Sequence, residues 1–150
     1  MEPIASQLEM LIDQYFPMLH QLSETHASHK PSPGKWSKKE LIGHLIDSAQ
    51  NNIRRFIMSQ YEEQPKIVYN QDKWVMINQW QEYNLSELIN LWYLLNKQAC
   101  CILKNTSKES AQRQSQTENL HSIEWLAEDY IKHLRHHVHQ VLELEQVAYP

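Results

Sequence analysis

Four segments of this chain repeat apolar residues at spacings of three and four, and strand-like alternation is sustained nowhere between them. Such spacing lines one face of a helix, and a helix with one apolar face must bury it against a neighbour. The first segment carries Ile4, Leu8, Leu11, Ile12, Tyr15, Leu19 and Leu22, with Pro17 inside it and expected to kink it. The second opens on Ser37-Lys38-Lys39-Glu40, a capping box flanked by Trp36 and Leu41 as a hydrophobic staple. It should run to about Gln60 and bury Leu41, Ile42, Leu45, Ile46, Ala49, Ile53, Phe56 and Ile57. The third follows a cap at Asn84 and Glu87 and buries Leu88, Leu91, Trp92, Leu95, Ala99 and Ile102. The fourth spans Ile123 to about Gln146. Between them, "THASHKPSPGKW" breaks the pattern and "KNTSKESAQRQSQTEN" reads as polar loop. A long connection after Gln60 has room for a short helix around Trp74 to Trp80. The expectation is an all-α four-helix bundle, one domain over residues 1–150, with connections long enough to cross over.

Composition excludes several classes of function. Only Gly34 and Gly43 are glycines, so neither a dinucleotide fingerprint nor a phosphate-cradling loop can be assembled. The net charge is -4 without a basic block, which is poor footing on a phosphate backbone, so no nucleic-acid partner is expected. No apolar run reaches the roughly 20 residues of a membrane span. The start "MEPIASQLEM" lacks a signal peptide's basic and apolar regions, so a cytoplasmic location is expected. Cys100 and Cys101, the two cysteines, are adjacent and read as small buried residues of the third helix.

Histidine is where the chain departs from an ordinary bundle. Four of its nine histidines fall between His133 and His139, inside the last helix. The expected core seam there is Ile123, Leu126, Tyr130, His133, His137, Val141 and Leu144, so His133 and His137 replace apolar residues. Their spacing of four brings two ring nitrogens over one point of the helix. His136 and His139 fall off the seam and are expected to be solvated. Two buried neutral imidazoles need partners, either a metal ion or side chains of other helices. On the second helix His44, Ser48, Asn51 and Arg55 form a polar line, with Asp47 at its edge. That line lies about 140° from the apolar face, so it is either solvated or the wall of a polar cavity.

The segments "KWSKKELIGHLIDSAQNNIRRF", "YNQDKW" and "EWLAEDYIKHLRHHVHQ" resemble the DinB/YfiT-like family of bundle proteins. The match runs through Trp36-Ser37, His44, Asp47-Ser48, Asn51, Arg55-Phe56, Tyr69, Asp72, Trp74, Tyr130, His133, His136 and His137. The resemblance implies a divalent ion, nickel or zinc, on His44, His133 and His137, with an open position for a water or a thiol. It implies a metal-dependent hydrolase or a transferase of low-molecular-weight thiols, a small-molecule substrate and a homodimer. Asp47 and Asp72 are candidates for orienting a ligand imidazole or moving a proton. Arg55 and Asn51 are candidates for substrate binding, Arg55 through a carboxylate. Ala49 stands where some relatives carry a further histidine. The alternatives are a non-catalytic interaction module, its metal structural or missing, and a metal-free bundle with hydrogen-bonded histidines.

Overall fold

The computed structural model describes residues 1–149. Four long helices form the bundle: α1 (Glu2–Leu19), α3 (Lys38–Met58), α5 (Leu85–Asn105) and α7 (Ile123–Leu142). Shorter helices α2 (Glu24–Ser28), α4 (Gln71–Asn78) and α6 (Lys108–Ala111) lie in the connections, with a 3-10 turn at Trp80–Glu82. Strands β1 (Gln114–Gln116) and β2 (Leu120–Ser122) pair antiparallel just before α7. None of the described helices is long and apolar enough to cross a membrane.

The bundle's order in space differs from its order in sequence. Helix α3 packs on α5 and α7, and α1 packs on the same two, so α1 and α3 are diagonal, as are α5 and α7. The Glu24 carboxylate accepts from Lys39 Nζ and from the Leu85 N–H, so α3 and α5 begin at one end. Gln60 donates to Thr106 where they finish. Lys38 meets Glu143 at 3.1 Å, which puts the C-terminus of α7 at the starting end of α3. Helices α3 and α5 are therefore parallel neighbours, and the chain must travel the bundle's length between them. Residues 59–84 do this, which explains why that connection is so long.

Local chemistry starts and stops the elements much as the sequence dictates. Ser37 Oγ accepts from the Glu40 N–H, and the Glu40 carboxylate accepts from the Ser37 N–H at 2.8 Å. Asn84 Oδ1 accepts from the Ser86 and Glu87 N–H groups at the start of α5. In the core, the Tyr130 hydroxyl of α7 donates to Asn96 Oδ1 of α5 at 2.6 Å, joining two diagonal helices through the centre.

Several expectations need correction. Helix α1 runs through Pro17 and ends two residues later, so the ring sits where the helix was already stopping. Ile57, Leu91 and Leu144 are exposed, and only Cys100 of the cysteine pair is buried. Helix α7 stops at Leu142 because Glu143 takes a left-handed φ of 57°. The buried seam of α7 runs through Leu134 and Val138, with His133 and His137 beside it, not in it. The stretch after α5 is no plain loop, since it holds α6 and β1. Its Gln116 pairs with the crossover, accepting from the Ile67 N–H and donating to the Pro65 carbonyl, each at 3.0 Å.

Candidate metal centre

Helix α3 supplies one wall of the centre. Its first half is buried almost all round, because α5, α7, α4 and the 3-10 turn pack on it together. His44, Ser48 and Asn52 follow at intervals of four and face α7 and the cavity beside it, all three buried. Gly43 has a different neighbour: a Cβ there would lie 2.1 Å from Trp80 Cγ, so only glycine lets the indole rest on the helix. One turn on, Asp47 accepts from Trp80 Nε1 and Asn78 Nδ2, each at 3.0 Å. Burial raises that carboxyl to about 6, against the pull of those two donors.

The structure brings His44, His133 and His137 together. One nitrogen from each lies within 4.8 Å of the others. Nε2 of His44 and Nε2 of His133 are 3.0 Å apart, and Nδ1 of His133 sits 3.4 Å from Ser48 Oγ. His137 Nδ1 donates to Gln140 Oε1 at 3.1 Å, which leaves its Nε2 with a lone pair. Burial holds His44 down at about 4, with His137 adding to the shift, and holds His133 at about 2. Burial lowers His137 as well, so all three imidazoles are neutral donors at neutral pH.

This donor set fits a divalent cation of the nickel or zinc kind. Ligand nitrogens about 2.0–2.1 Å from a tetrahedral ion stand roughly 3.3 Å apart. The His44 and His133 Nε2 atoms are already at 3.0 Å, and the whole set lies within 4.8 Å. His44 supplies the second observation. Its Nδ1 is buried without a hydrogen-bond partner, and its Nε2 faces only another imidazole. Among the described residues no oxygen pairs with either nitrogen, and an unpaired buried polar group costs about 1–3 kcal/mol.

His133 also borders a cavity of about 470 Å³ between α3, α4 and α7. Arg55, Asp72, Tyr69, Asn52, Asp129 and Tyr149 line it with Ser48 and others. Asp72 and Arg55 are thus at this cavity, while Asp47 is tied to Asn78 and Trp80, and Asn51 donates back to the Asp47 carbonyl. Asn52 takes the place on the cavity wall that the sequence reading gave to Asn51. Asp129 and Tyr149 were missed. Asp129 stands four residues before His133, so the same spacing that paired the histidines could have found it. Tyr149 arrives with the C-terminal tail, whose position no periodicity describes. That tail is held by His136 and His139, whose Nδ1 atoms donate to the Val147 and Glu145 carbonyls at 2.6 and 2.7 Å. The Tyr149 hydroxyl then donates to Asp129 Oδ2 at 3.0 Å. His136 and His139 are therefore hydrogen-bonded anchors, not solvated surface groups.

Fold and site together define a crossed four-helix bundle with a three-histidine cluster beside a polar cavity. The chain belongs to the DinB superfamily, whose sequence model matches residues 7–141. Among solved structures it is similar to YfiT from Bacillus subtilis, "a probable metal-dependent hydrolase with an unusual four-helix bundle topology". That likeness has a TM-score of 0.84 at 20% identity and covers 94% of this chain and 83% of that one. It is also similar to a mycothiol-dependent maleylpyruvate isomerase, with a TM-score of 0.73 at 15% identity. There it covers 98% of this chain but 61% of the other. Comparison with curated proteins gave no match.

Proposed function

We propose that this protein is a metal-dependent hydrolase of a small polar substrate, with nickel or zinc held by His44, His133 and His137. The observation that carries this reading is the meeting of three neutral imidazoles, one of which, His133, lines a polar cavity. A divalent ion bound there supplies Lewis acidity, lowering the pKa of a water or thiol it holds. The chain's own residues do the rest. Ser48 Oγ and Gln140 Oε1 fix the ring orientations of His133 and His137. Arg55 presents N–H donors to a substrate in the cavity, and Asn52 steadies the guanidinium through its Oδ1. Asp72, one of the carboxylates on the lining, exchanges a proton with the substrate. Asp47 has a positioning role, since its carboxylate holds the crossover against α3 and does not line the cavity. The test is a panel of esters and amides offered to zinc- or nickel-loaded protein. Cleavage that stops with a chelator and with His133→Ala supports the reading; cleavage indifferent to both defeats it.

A second reading, transfer of a low-molecular-weight thiol, draws support from Arg55. Its guanidinium makes no ion pair with a carboxylate among the described residues, which suits the carboxylate of a charged thiol. Metal-dependent consumption of a thiol and an electrophile, without ester or amide cleavage, would favour it.

A further inference from the structure

Arg55 on α3 and Asp129 on α7 line the same cavity, and they do not pair with each other. Arg55 is bonded to neutral acceptors instead. Its Nε and Nη2 donate to the Ile67 carbonyl at 3.3 and 3.0 Å, and Nη1 donates to Asn52 Oδ1 at 3.2 Å. A guanidinium carries five N–H donors, so two remain for a ligand. Holding this charge in a half-buried place is costly without an anion. Asp129 is the counterpart. One carboxylate oxygen is taken by the Tyr149 hydroxyl, which fixes the group's orientation, and the second can still accept. Asp72 and Glu118, both exposed, add negative charge to the lining. Among the described residues no aliphatic side chain lines this space, and apart from three tyrosine rings its walls are polar, so an aliphatic ligand would gain little by entering it.

We propose that the cavity takes a zwitterion of the α-amino-acid kind, its carboxylate held by Arg55 and its ammonium by Asp129. The inference rests on the reading above only for where the ligand's third group points, toward His133 and the ion. Charge recognition itself belongs to Arg55 and Asp129, which are not ligands of the cluster. Two opposite charges that share a cavity without neutralising each other discriminate well, because a ligand missing either charge leaves one of them desolvated and unpaired.

The test is an amide-shift titration by nuclear magnetic resonance with L-serine, N-acetyl-L-serine and L-serine methyl ester. Serine has no thiol, so metal–sulfur bonding does not enter. L-Serine should shift the amides around Ser48, Asn52 and Asp72 saturably, and each blocked analogue should bind at least about tenfold more weakly. Asp129→Asn should erase the discrimination against N-acetyl-L-serine, and Arg55→Met the discrimination against the methyl ester. Equal affinity for all three compounds, or no saturable shift with L-serine, overturns the proposal. The unmodified protein decides this without the variants, should either fold poorly. Running the series with zinc and without it separates the two claims. The ranking should persist in metal-free protein, whereas failure of the metal reading would appear as zinc not binding.

Discussion

His44 and His133 stand 89 positions apart in sequence, yet their Nε2 atoms meet at 3.0 Å across the α3–α7 contact. Two neutral imidazoles can share one hydrogen bond at that distance, or both can offer lone pairs to a common ion. A third ring joins them. His137 lies with its centroid 4.9 Å from that of His44 and 4.6 Å from that of His133. A hydrogen-bonded pair leaves that third imidazole's lone pair unused, whereas an ion would engage it, and this is the ground for the proposed metal site.

The close approach at Gly43 makes the first prediction. Glycine to alanine inside a helix ordinarily gains about 0.5–1 kcal/mol. Here the new Cβ falls on Trp80, and moving the indole also strips a donor from the buried Asp47 carboxylate. Gly43→Ala should therefore destabilise the fold by on the order of 2 kcal/mol, read from urea denaturation. A stabilised variant would show that the crossover is not packed as described.

Stability of the metal-free protein should fall as pH drops from 7 to 5. His44 and His133 titrate near 4 and 2 in the fold, below the ordinary 6.5 that the unfolded chain restores. Between those values the unfolded state holds more protons, so acid favours unfolding. Asp47 works the other way, because its carboxyl is raised from 3.8 to about 6 and the fold keeps a proton that the unfolded chain has lost. With His137 also lowered, three imidazoles oppose one carboxyl. The urea midpoint should be lower at pH 5 than at pH 7, and a higher one would mean that the cluster is not buried neutral.

His139 tests the tail. Its Nε2 meets the Tyr15 hydroxyl at 2.9 Å while its Nδ1 holds the Glu145 carbonyl. His139→Ala should cost about 1–2 kcal/mol of stability and speed amide exchange at residues 145–147. Unchanged stability and exchange would mean that the tail is not anchored there.

Much of this was legible in the sequence, for reasons that particular residues make clear. The spacing of four between His133 and His137 survives any small rotation of α7, so their shared direction could be read without a partner. Their exact station could not. Whether they occupy the seam or flank it depends on how α7 is rolled against α3, and the fold gives Leu134 and Val138 the seam. The same limit separated Asn51 from Asn52. The two are adjacent and amide-bearing, and the packing of α3 decides which reaches the cavity. Asp47 looked like a partner for chemistry because it sits one turn from His44, but Trp80 and Asn78 arrive from a crossover with no periodic signal. The β1–β2 hairpin escaped notice for a related reason. Three-residue strands such as Gln114–Gln116, with Ser115 the one buried position, carry too little alternation to register.

The central claim is that His44, His133 and His137 act as one metal site, and metal content tests it most directly. Protein prepared without a histidine tag, dialysed against nickel or zinc and measured by elemental analysis, should retain about one ion per chain. His44→Ala, His133→Ala and His137→Ala should each lose most of it, and His139→Ala and His20→Ala should keep it. No retained metal in the unaltered protein, or equal loss from His139→Ala, would contradict the account.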